Sequence, residues 1–395
     1  MIKSASLFTT EIDDLDLAIN QLKAQLSEKL TLMKNTVGIV QCDTEFVDEG
    51  IVPMMYEALG IPLVGGTTTS SATNVGVGKF AVSILVLTGN DVDFVVSCTS
   101  ELKGDYWHEI KRSFEDTAAE FSGLQKHTPK LALVFPPIND EIAGDDYIDA
   151  IESACGDVPI FGTLFVDDSL GSFDKSAAIF NGETSRTKMP YVLIYGNVNP
   201  KFSIVTVPRE EGLVYANAII TKASENIVYE INYKPAVKFF EEVGISKGKN
   251  LTNGAAFVPT ILIMRNSMER DYFVRAMMKI EKDGSVSFRG RMYEGARIVI
   301  GSNAGADVMA ESRKGVECIA ADKDASAALI FSCIARQLLI FPNALAELDC
   351  IKNSFSGHIE FLASYSGGEF APTSLDSNNA ARNRFHNYSL IACLL

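Results

Sequence analysis

The chain has 395 residues, of which 47% are hydrophobic and 22% are charged, a composition typical of a globular protein. Acidic residues outnumber basic ones by 50 to 35, which gives a formal net charge of −15. Because binding to nucleic acid depends on clustered lysine and arginine, this balance argues against nucleic acid and anionic membranes as partners. No run of 18 apolar residues occurs, so we predict no membrane insertion.

The cysteines and histidines argue against a disulfide framework and against a metal centre. Seven cysteines are scattered along the chain, and no two of them form a Cys-x-x-Cys pair. This pattern is typical of reduced thiols in the cytoplasm, and the N-terminus lacks the apolar core of a signal peptide. The four histidines do not have the spacing of metal ligands, so we predict no metal site.

The first half of the chain predicts a leading helix followed by two similar α/β units. Apolar residues recur at helical spacing from Leu15 to Leu30. Each unit then has a strand, a helix, a second strand with a Pro-x-x-Gly segment, and a hairpin. The segments are 37–40, 48–59 and 61–67 in the first unit, and 131–135, 141–154 and 158–163 in the second. This similarity predicts an internal duplication, with chance resemblance of two α/β units as the alternative.

The second half predicts a different order of elements. Two strands flank a turn at Asn226, a helix begins near Pro235, and Asp283-Gly284 is a favoured hairpin turn. A strand at 327–331 leads into a helix, and the last strand covers 388–394. The predicted fold class is therefore α/β, with two sheet-based parts, mixed sheets and flanking helices. We place the parts at 1–215 and 216–395.

A cysteine and an arginine follow the strand at 327–331. Cys333 would lie at a strand-to-helix junction, where the helix dipole lowers the pKa of a thiol. Arg336, one turn later, could bind a carboxylate or phosphate through two parallel hydrogen bonds. The structural alternative is a buried cysteine and an arginine paired with a local acid.

Glu347 lies eleven residues after Arg336, close to three helical turns, so both side chains would share one face of a continuous helix. Pro342 interrupts this segment and can kink or end the helix. A glutamate exposed on the surface is the alternative reading of Glu347.

Two further segments near the C-terminus carry polar groups beside turns. Gly367 and Gly368 follow a strand that contains Tyr365, and glycines there permit a sharp turn or close approach to a ligand. Glu369 comes just after the turn and could accept hydrogen bonds from an amine. His386 and Asn387 enter the last strand, where neighbouring side chains point to opposite faces.

Together these residues resemble the FIST family, named for F-box and intracellular signal transduction proteins. The matching residues, in order, are Phe331-Ser332-Cys333, Arg336, Glu347, Gly368-Glu369 and His386-Asn387, with Pro62–Gly65 and Pro159–Gly162 in the first half. The resemblance covers nearly the whole chain, as a FIST N-terminal domain at 1–215 and a C-terminal domain at 216–395. It departs from the family pattern at Gly367, where a Tyr or similar residue is usual, and at Phe370, where an aliphatic residue is usual.

The resemblance implies a sensory protein that binds a small polar ligand, such as an amino acid, without catalysis or cofactor, and acts on a downstream signalling protein. Arg336 would then bind a carboxylate, and Glu369 or Glu347 an ammonium group. Tyr365 would form a wall, and Cys333, the two glycines, His386 and Asn387 would complete the ligand site.

Three alternatives remain open. The chain could be an enzyme with Cys333 as nucleophile and His386 as base. It could bind haem through His386 or His358, although it has no c-type attachment motif. It could also be a structural interaction protein without a defined pocket in its second half.

Overall fold

The computed structural model describes residues 2–121, 128–139, 142–169, 173–208, 218–242, 244, 259–263, 272–322, 324–355, 357, 359–375 and 381–395. These residues form three mixed six-stranded sheets, which we call the body, and a seven-stranded antiparallel sheet. The predicted α/β class with mixed sheets and flanking helices is confirmed. The predicted boundary near residue 215 lies outside the described residues and stays a prediction.

The first unit of the body contains six strands and three helices. They are β1 (Lys3–Thr9), α1 (Leu15–Lys29), β2 (Asn35–Cys42), α2 (Thr44–Asp48), α3 (Ile51–Leu59), β3 (Leu63–Thr67), β4 (Ser71–Thr73), β5 (Val77–Gly78) and β6 (Val82–Gly89). Helix α1 begins where the sequence predicts, because the Asp14 carboxylate accepts a hydrogen bond from the Leu17 N–H. The single helix predicted at 48–59 is two helices, since Gly50 between them has a left-handed φ of 88°.

The second and third units repeat this order. The second contains β7 (Val92–Cys98), α4 (Tyr106–Glu120), β8 (Leu131–Val134), α5 (Gly144–Cys155), β9 (Ile160–Thr163), β10 (Ala178–Phe180), β11 (Glu183–Ser185) and β12 (Pro190–Gly196). The third starts at β13 (Lys201–Val205) and continues with α7 (Gly305–Ala320), β21 (Ala327–Cys333), α8 (Ile334–Ile340), α9 (Ala346–Ser354), β22 (Glu360–Ser366), β23 (Glu369–Leu375), β24 (Ala381–His386) and β25 (Leu390–Leu394).

The inserted segment between β13 and α7 forms the seven-stranded sheet. Its elements are β14 (Ala218–Ser224), β15 (Ile227–Ile231), β16 (Lys234–Pro235), α6 (Ala236–Glu242), β17 (Pro259–Ile263), β18 (Tyr272–Ile280), β19 (Val286–Arg289) and β20 (Arg297–Ile300). The strand order is β14-β20-β17-β18-β19-β15-β16, and a further pairing of β14 with β15 closes six strands into a barrel. Phe240, Met277 and Phe288 belong to its own buried core.

The three sheets of the body have the same strand order. They read β1-β6-β2-β3-β10-β11, β7-β12-β8-β9-β23-β24 and β13-β25-β21-β22-β4-β5. In each sheet the third and fourth strands are parallel, and the last two are a hairpin that belongs to another unit. The predicted duplication of the first half stays a prediction, but the strand order occurs three times. Strands from both predicted parts share two of these sheets.

The inner faces of the three sheets enclose one apolar core. Val64, Phe161 and Leu362 come from the second parallel strand of each sheet, and all three belong to this core. Because the parallel strands of a sheet end at the same edge, the loops after β2, β8 and β21 lie at one end of the body. The polar segments predicted for the ligand site leave the sheets at this end.

Candidate functional site

The predicted site residues lie in or around one short segment, residues 385–389, which we call the junction segment. Its backbone accepts hydrogen bonds from Arg336 Nη1 at Tyr388 O (3.0 Å) and from the Cys333 N–H at Ser389 O (2.9 Å). Glu369 pairs directly with His386 across β23 and β24. The structure thus brings together residues that are 53 positions apart in the sequence, from Cys333 to His386.

Arg336 and Glu347 form a buried ion pair. Both side chains are 0% exposed, and Arg336 Nη2 lies 2.8 Å from Glu347 Oε1. The hydroxyls of Ser312 and Ser332 donate to the same carboxylate. Burial alone would raise the pKa of Glu347, but the Arg336 charge and these hydrogen bonds outweigh it and lower that pKa. The pair therefore stays ionised inside the protein.

Cys333 and Glu369 are buried close to each other in the protein interior. Cys333 is the residue before α8, as the sequence predicts, but it is only 3% exposed. Burial and then the neighbouring Glu369 raise the pKa of the thiol, whereas the sequence predicts a lowered pKa at a helix start. Burial also raises the pKa of Glu369 well above its usual value, although the hydrogen bond from Ser366 acts in the opposite direction. Burial therefore favours the uncharged form of both groups.

The glycine turn between β22 and β23 packs directly on the second unit. The Leu164 N–H donates to Gly368 O (2.9 Å), and the Gly367 N–H donates to Leu164 O (2.8 Å). Gly368 has a φ of 148°, and a Cβ atom there would lie 2.3 Å from the Phe385 ring. The turn needs glycine because Phe385 fills the space of a side chain. The neighbouring Tyr365 is buried, and its hydroxyl has no hydrogen-bond partner among the described residues.

His386 and Asn387 connect the body to the barrel. The Asn387 side chain accepts from the Ala276 N–H (3.2 Å), and its backbone N–H donates to Val274 O (3.3 Å) in β18. His386 is fully buried, and its Nε2 lies 3.1 Å from Ala371 O. Its pKa is lowered to about 3, mainly because it is buried. It is therefore a neutral imidazole. His358, the other proposed haem ligand, lies outside the described residues.

A cleft of about 500 Å³ lies along the seam between the barrel and the second unit. Its polar lining residues are Tyr106, Asn139, Asp146, Glu225, Asn226, Arg289 and Arg291. Its apolar lining includes Ile142, Ala143, Leu164, Met278 and Phe288. The glycine turn supports this cleft from behind, because Leu164 belongs to its wall. None of these residues is predicted from the sequence, since the cleft combines loops and strand ends without a shared motif.

Two arginines of the barrel bind the acidic start of α5 at the base of the cleft. Arg275 is 0% exposed, and its Nη2 lies 2.9 Å from Asp145 Oδ1. Arg291 binds Asp146 and Asp149, each at 2.8 Å. Among the residues that the structure describes, no side chain caps the first turn of α5, where Ala143 and Gly144 line the cleft. This helix start therefore offers a positive dipole end to the cleft.

Glu225 adds a negative charge to the part of the cleft that the barrel contributes. It occupies the β14–β15 turn with a φ of 52°, and its side chain is exposed. Its carboxylate forms no hydrogen bond or ion pair with the other described residues. The pKa of Tyr106 is raised to about 12, mainly by burial, then by its hydrogen bond to Asp146 and by the charges of Asp146 and Glu225. The lining of the cleft thus includes the carboxylate of Glu225 and the first turn of α5, where Arg291 is paired with Asp146.

The described residues contain no group of three or more His, Cys, Asp or Glu side chains that could hold a metal ion. Within the same residues, no helix is long and apolar enough to span a membrane. All seven cysteines are free thiols.

Comparison with solved structures finds a crystal structure of cyanuric acid hydrolase from A. caulinodans. The two chains share 8% sequence identity with a TM-score of 0.36, over 100% of this chain and 99% of that one. At this TM-score, neither the fold nor the activity of that hydrolase is transferred here. No curated protein matches this chain.

Two family descriptions match the sequence, and they confirm the resemblance. The FIST N domain matches residues 36–234, and the FIST C domain matches residues 236–372. FIST domains are associated with signal transduction and small-ligand sensing. Because the two matches run through most of the chain, this protein belongs to the FIST family.

Proposed function

We propose that this chain is a cytoplasmic sensory protein that binds a free α-amino acid in the cleft between barrel and body, without catalysis. The observation that carries the proposal is the cleft itself, which has a volume of about 500 Å³ and carries both acidic and basic side chains in its lining. Cavities of roughly 300–1,000 Å³ with a few convergent polar groups are typical of small-molecule sites. The seven free thiols are consistent with a reducing compartment.

The charges of the cleft suit the two ends of an amino-acid head group. The exposed carboxylate of Glu225 would bind the ammonium group, because no described residue neutralises it. The uncapped start of α5 at Ala143 and Gly144 would bind the carboxylate, with Arg291 beside it. In this arrangement the ligand would contact both the barrel and the body.

The nine residues predicted from the sequence would support this site from behind. Arg336 and Glu347 use their charges on each other, so we assign them the role of fixing the junction segment. That segment holds β18 of the barrel through Asn387, and the glycine turn holds Leu164 in the cleft wall. A ligand bound across the seam would change how the barrel rests on the body. We propose that this change is what a downstream signalling protein detects.

The alternatives lack a supporting observation of this kind. For a cysteine enzyme, Cys333 would have to be exposed and ionised, and it is 3% exposed with a raised pKa. For haem, the His386 ring would have to turn away from Ala371 O and reach a wide apolar pocket. We therefore propose that the protein works without a cofactor.

The test is isothermal titration calorimetry of the intact chain with the twenty amino acids, compared with sugars and nucleotides. One or more amino acids are expected to bind, and Glu225→Gln should weaken that binding about 10- to 100-fold, because hydrogen bonds to charged groups contribute about 1.5–3 kcal/mol. Glu294→Gln is the matched control, since this exposed barrel glutamate lies outside the cleft. Unchanged affinity in Glu225→Gln would contradict the assignment of the ammonium site, and no amino-acid binding at all would contradict the proposed function.

A further inference from the structure

We infer that the cleft selects amino acids with an extended, unbranched or γ-branched apolar side chain, and that Met278 determines the size it accepts. This inference rests on the proposed function and adds the class of ligand. It is carried by the placement of Met278 on a β-bulge and by the buried apolar residues Ile142 and Leu164 in the same lining.

Met278 stands at an irregularity of β18 that directs it into the cleft. The pairing of β18 with β19 shifts register between Met277 and Lys279, so Met278 has no partner residue in β19. Met277 is 0% exposed inside the barrel, whereas Met278 is 42% exposed and lines the cleft. β-Bulges are frequent next to binding sites because the extra residue changes where a side chain points.

The wall that faces the barrel is apolar and firmly held. Ile142 and Leu164 belong to the apolar core of the second unit, with 4% and 3% of their surface exposed. The glycine turn holds Leu164 by two backbone hydrogen bonds. The Leu164 N–H donates to Gly368 O at 2.9 Å, and Leu164 O accepts from the Gly367 N–H at 2.8 Å. One side of the apolar part is therefore rigid. The other side is a methionine, whose unbranched thioether adapts to the shape of its neighbour.

Glu225 and Arg291 lie on other elements than the three apolar residues. Glu225 lies in the β14–β15 turn, and Arg291 is engaged with Asp146 and Asp149 at the α5 side. Met278, Ile142 and Leu164 carry no polar side-chain atom that could bind a hydroxyl, amide or carboxylate. A polar side chain placed between them would lose its hydrogen bonds to water without replacement. Burial would instead favour an aliphatic or thioether side chain, and each buried methylene group would increase the affinity roughly fourfold.

The experiment is calorimetry of the intact chain with leucine, methionine, phenylalanine, alanine, serine and aspartate. Leucine and methionine are expected to bind at least tenfold more tightly than alanine and serine. Met278→Ala should weaken the binding of leucine and of methionine. It should also raise the ratio of the affinity for phenylalanine to the affinity for leucine at least fivefold. Ile219→Ala is the matched control, because Ile219 is an apolar barrel residue with 37% exposure outside the cleft.

The outcomes separate this inference from the proposed function. If leucine, alanine and serine bind with equal affinity, the inference is overturned and the proposed function still stands. An unchanged phenylalanine-to-leucine ratio in Met278→Ala, in a variant whose circular dichroism and melting temperature match the parent, would overturn the role of Met278. Absence of binding by all six would overturn this inference, and absence of binding by all twenty amino acids would overturn the proposed function as well.

Discussion

At the scale of single residues, several side chains of the predicted site favour their uncharged form although their residue types can carry a charge. Cys333 and Glu369 carry raised pKa values because they are buried together, and His386 carries a lowered one. A sequence shows which groups can titrate, but burial decides which form they take. The motifs therefore predicted that these residues would meet, and they did not predict that the interior would keep them uncharged.

The raised pKa of Glu369 gives the protein a pH-dependent stability. The folded chain keeps a proton on Glu369 that the unfolded chain releases above its ordinary pKa of 4.5. This contribution is therefore present below pH 4.5 and is lost as the pH rises towards the folded pKa, at up to about 1.4 kcal/mol per pH unit. Glu369→Gln resembles the protonated acid and can still accept from Ser366, so its free energy of unfolding should fall less between pH 5 and 8.

Urea unfolding at several pH values measures this difference. Subtracting the profile of Glu369→Gln from that of the parent removes the effect of His386 and of the other titrating groups. Glu294→Gln, which changes an exposed glutamate, should follow the parent at every pH. Parallel profiles for the parent and Glu369→Gln would show that Glu369 is ionised in the folded protein.

At the scale of elements, the 334–354 region shows what spacing alone can predict. The spacing predicts Arg336 and Glu347 on one face of a continuous helix, and Pro342 between them can end that helix. The helix does stop: α8 ends at Ile340 and α9 begins at Ala346. The two side chains still meet, because α8 and α9 both pack against α7. An arginine paired with a local acid could be expected from the residue types, whereas the packing on α7 joins elements that are not neighbours in the sequence.

The Arg336–Glu347 pair joins four elements, so its loss should affect the whole third unit. Glu347 on α9 binds Arg336 on α8, Ser312 on α7 and Ser332 on β21. Glu347→Ala would leave the buried Arg336 charge without a partner, and we expect it to lower the free energy of unfolding by about 3–5 kcal/mol. The double change Arg336→Met/Glu347→Leu should be less destabilising than Glu347→Ala, because no unpaired charge remains.

Chemical denaturation monitored by circular dichroism provides the comparison. Asp48→Ala is the control, since it breaks an exposed ion pair with Lys175 at 2.9 Å, and it should change stability by less than about 1 kcal/mol. If Glu347→Ala were as mild as Asp48→Ala, the buried pair would have no role in holding these four elements together.

At the scale of the whole molecule, the sequence predicted two parts side by side, and the structure has sheets built from both. Strands β23 and β24 complete the second sheet, and β4 and β5 complete the third. The hydrophobic patterns predicted most strands correctly, including the hairpin at Asp283-Gly284 between β18 and β19. They could not predict which sheet each hairpin joins, because a short hairpin carries no sequence signal for its distant partner.

The exchanged hairpins predict how the chain tolerates cutting. A fragment of residues 1–215 would leave β9 without β23, and β4 and β13 without β22 and β25. It would also lack Phe331, Leu362 and the other third-unit residues of the shared core. We expect this fragment to show no cooperative unfolding transition in urea.

Removal of the barrel provides the contrast. The Ser302 N–H donates to Pro208 O at 2.7 Å, so the chain enters and leaves the barrel at neighbouring points. Joining Pro208 to Ser302 deletes more than 90 residues but keeps all three sheets of the body. This variant should retain a cooperative transition at a lower melting temperature, because the barrel covers part of the body. Cooperative unfolding of the 1–215 fragment would show that the shared sheets are not required for folding.

The exchange of hairpins also has a consequence for the chain as it leaves the ribosome. All strands of the first sheet have been synthesised by residue 185, but the second sheet waits for β24, which ends at His386. Until β23 has been synthesised β9 has an open edge, and open strand edges pair readily with other chains. The nascent protein therefore carries an unprotected strand through about half of its translation, when a chaperone bound at the β9 edge would be of most use.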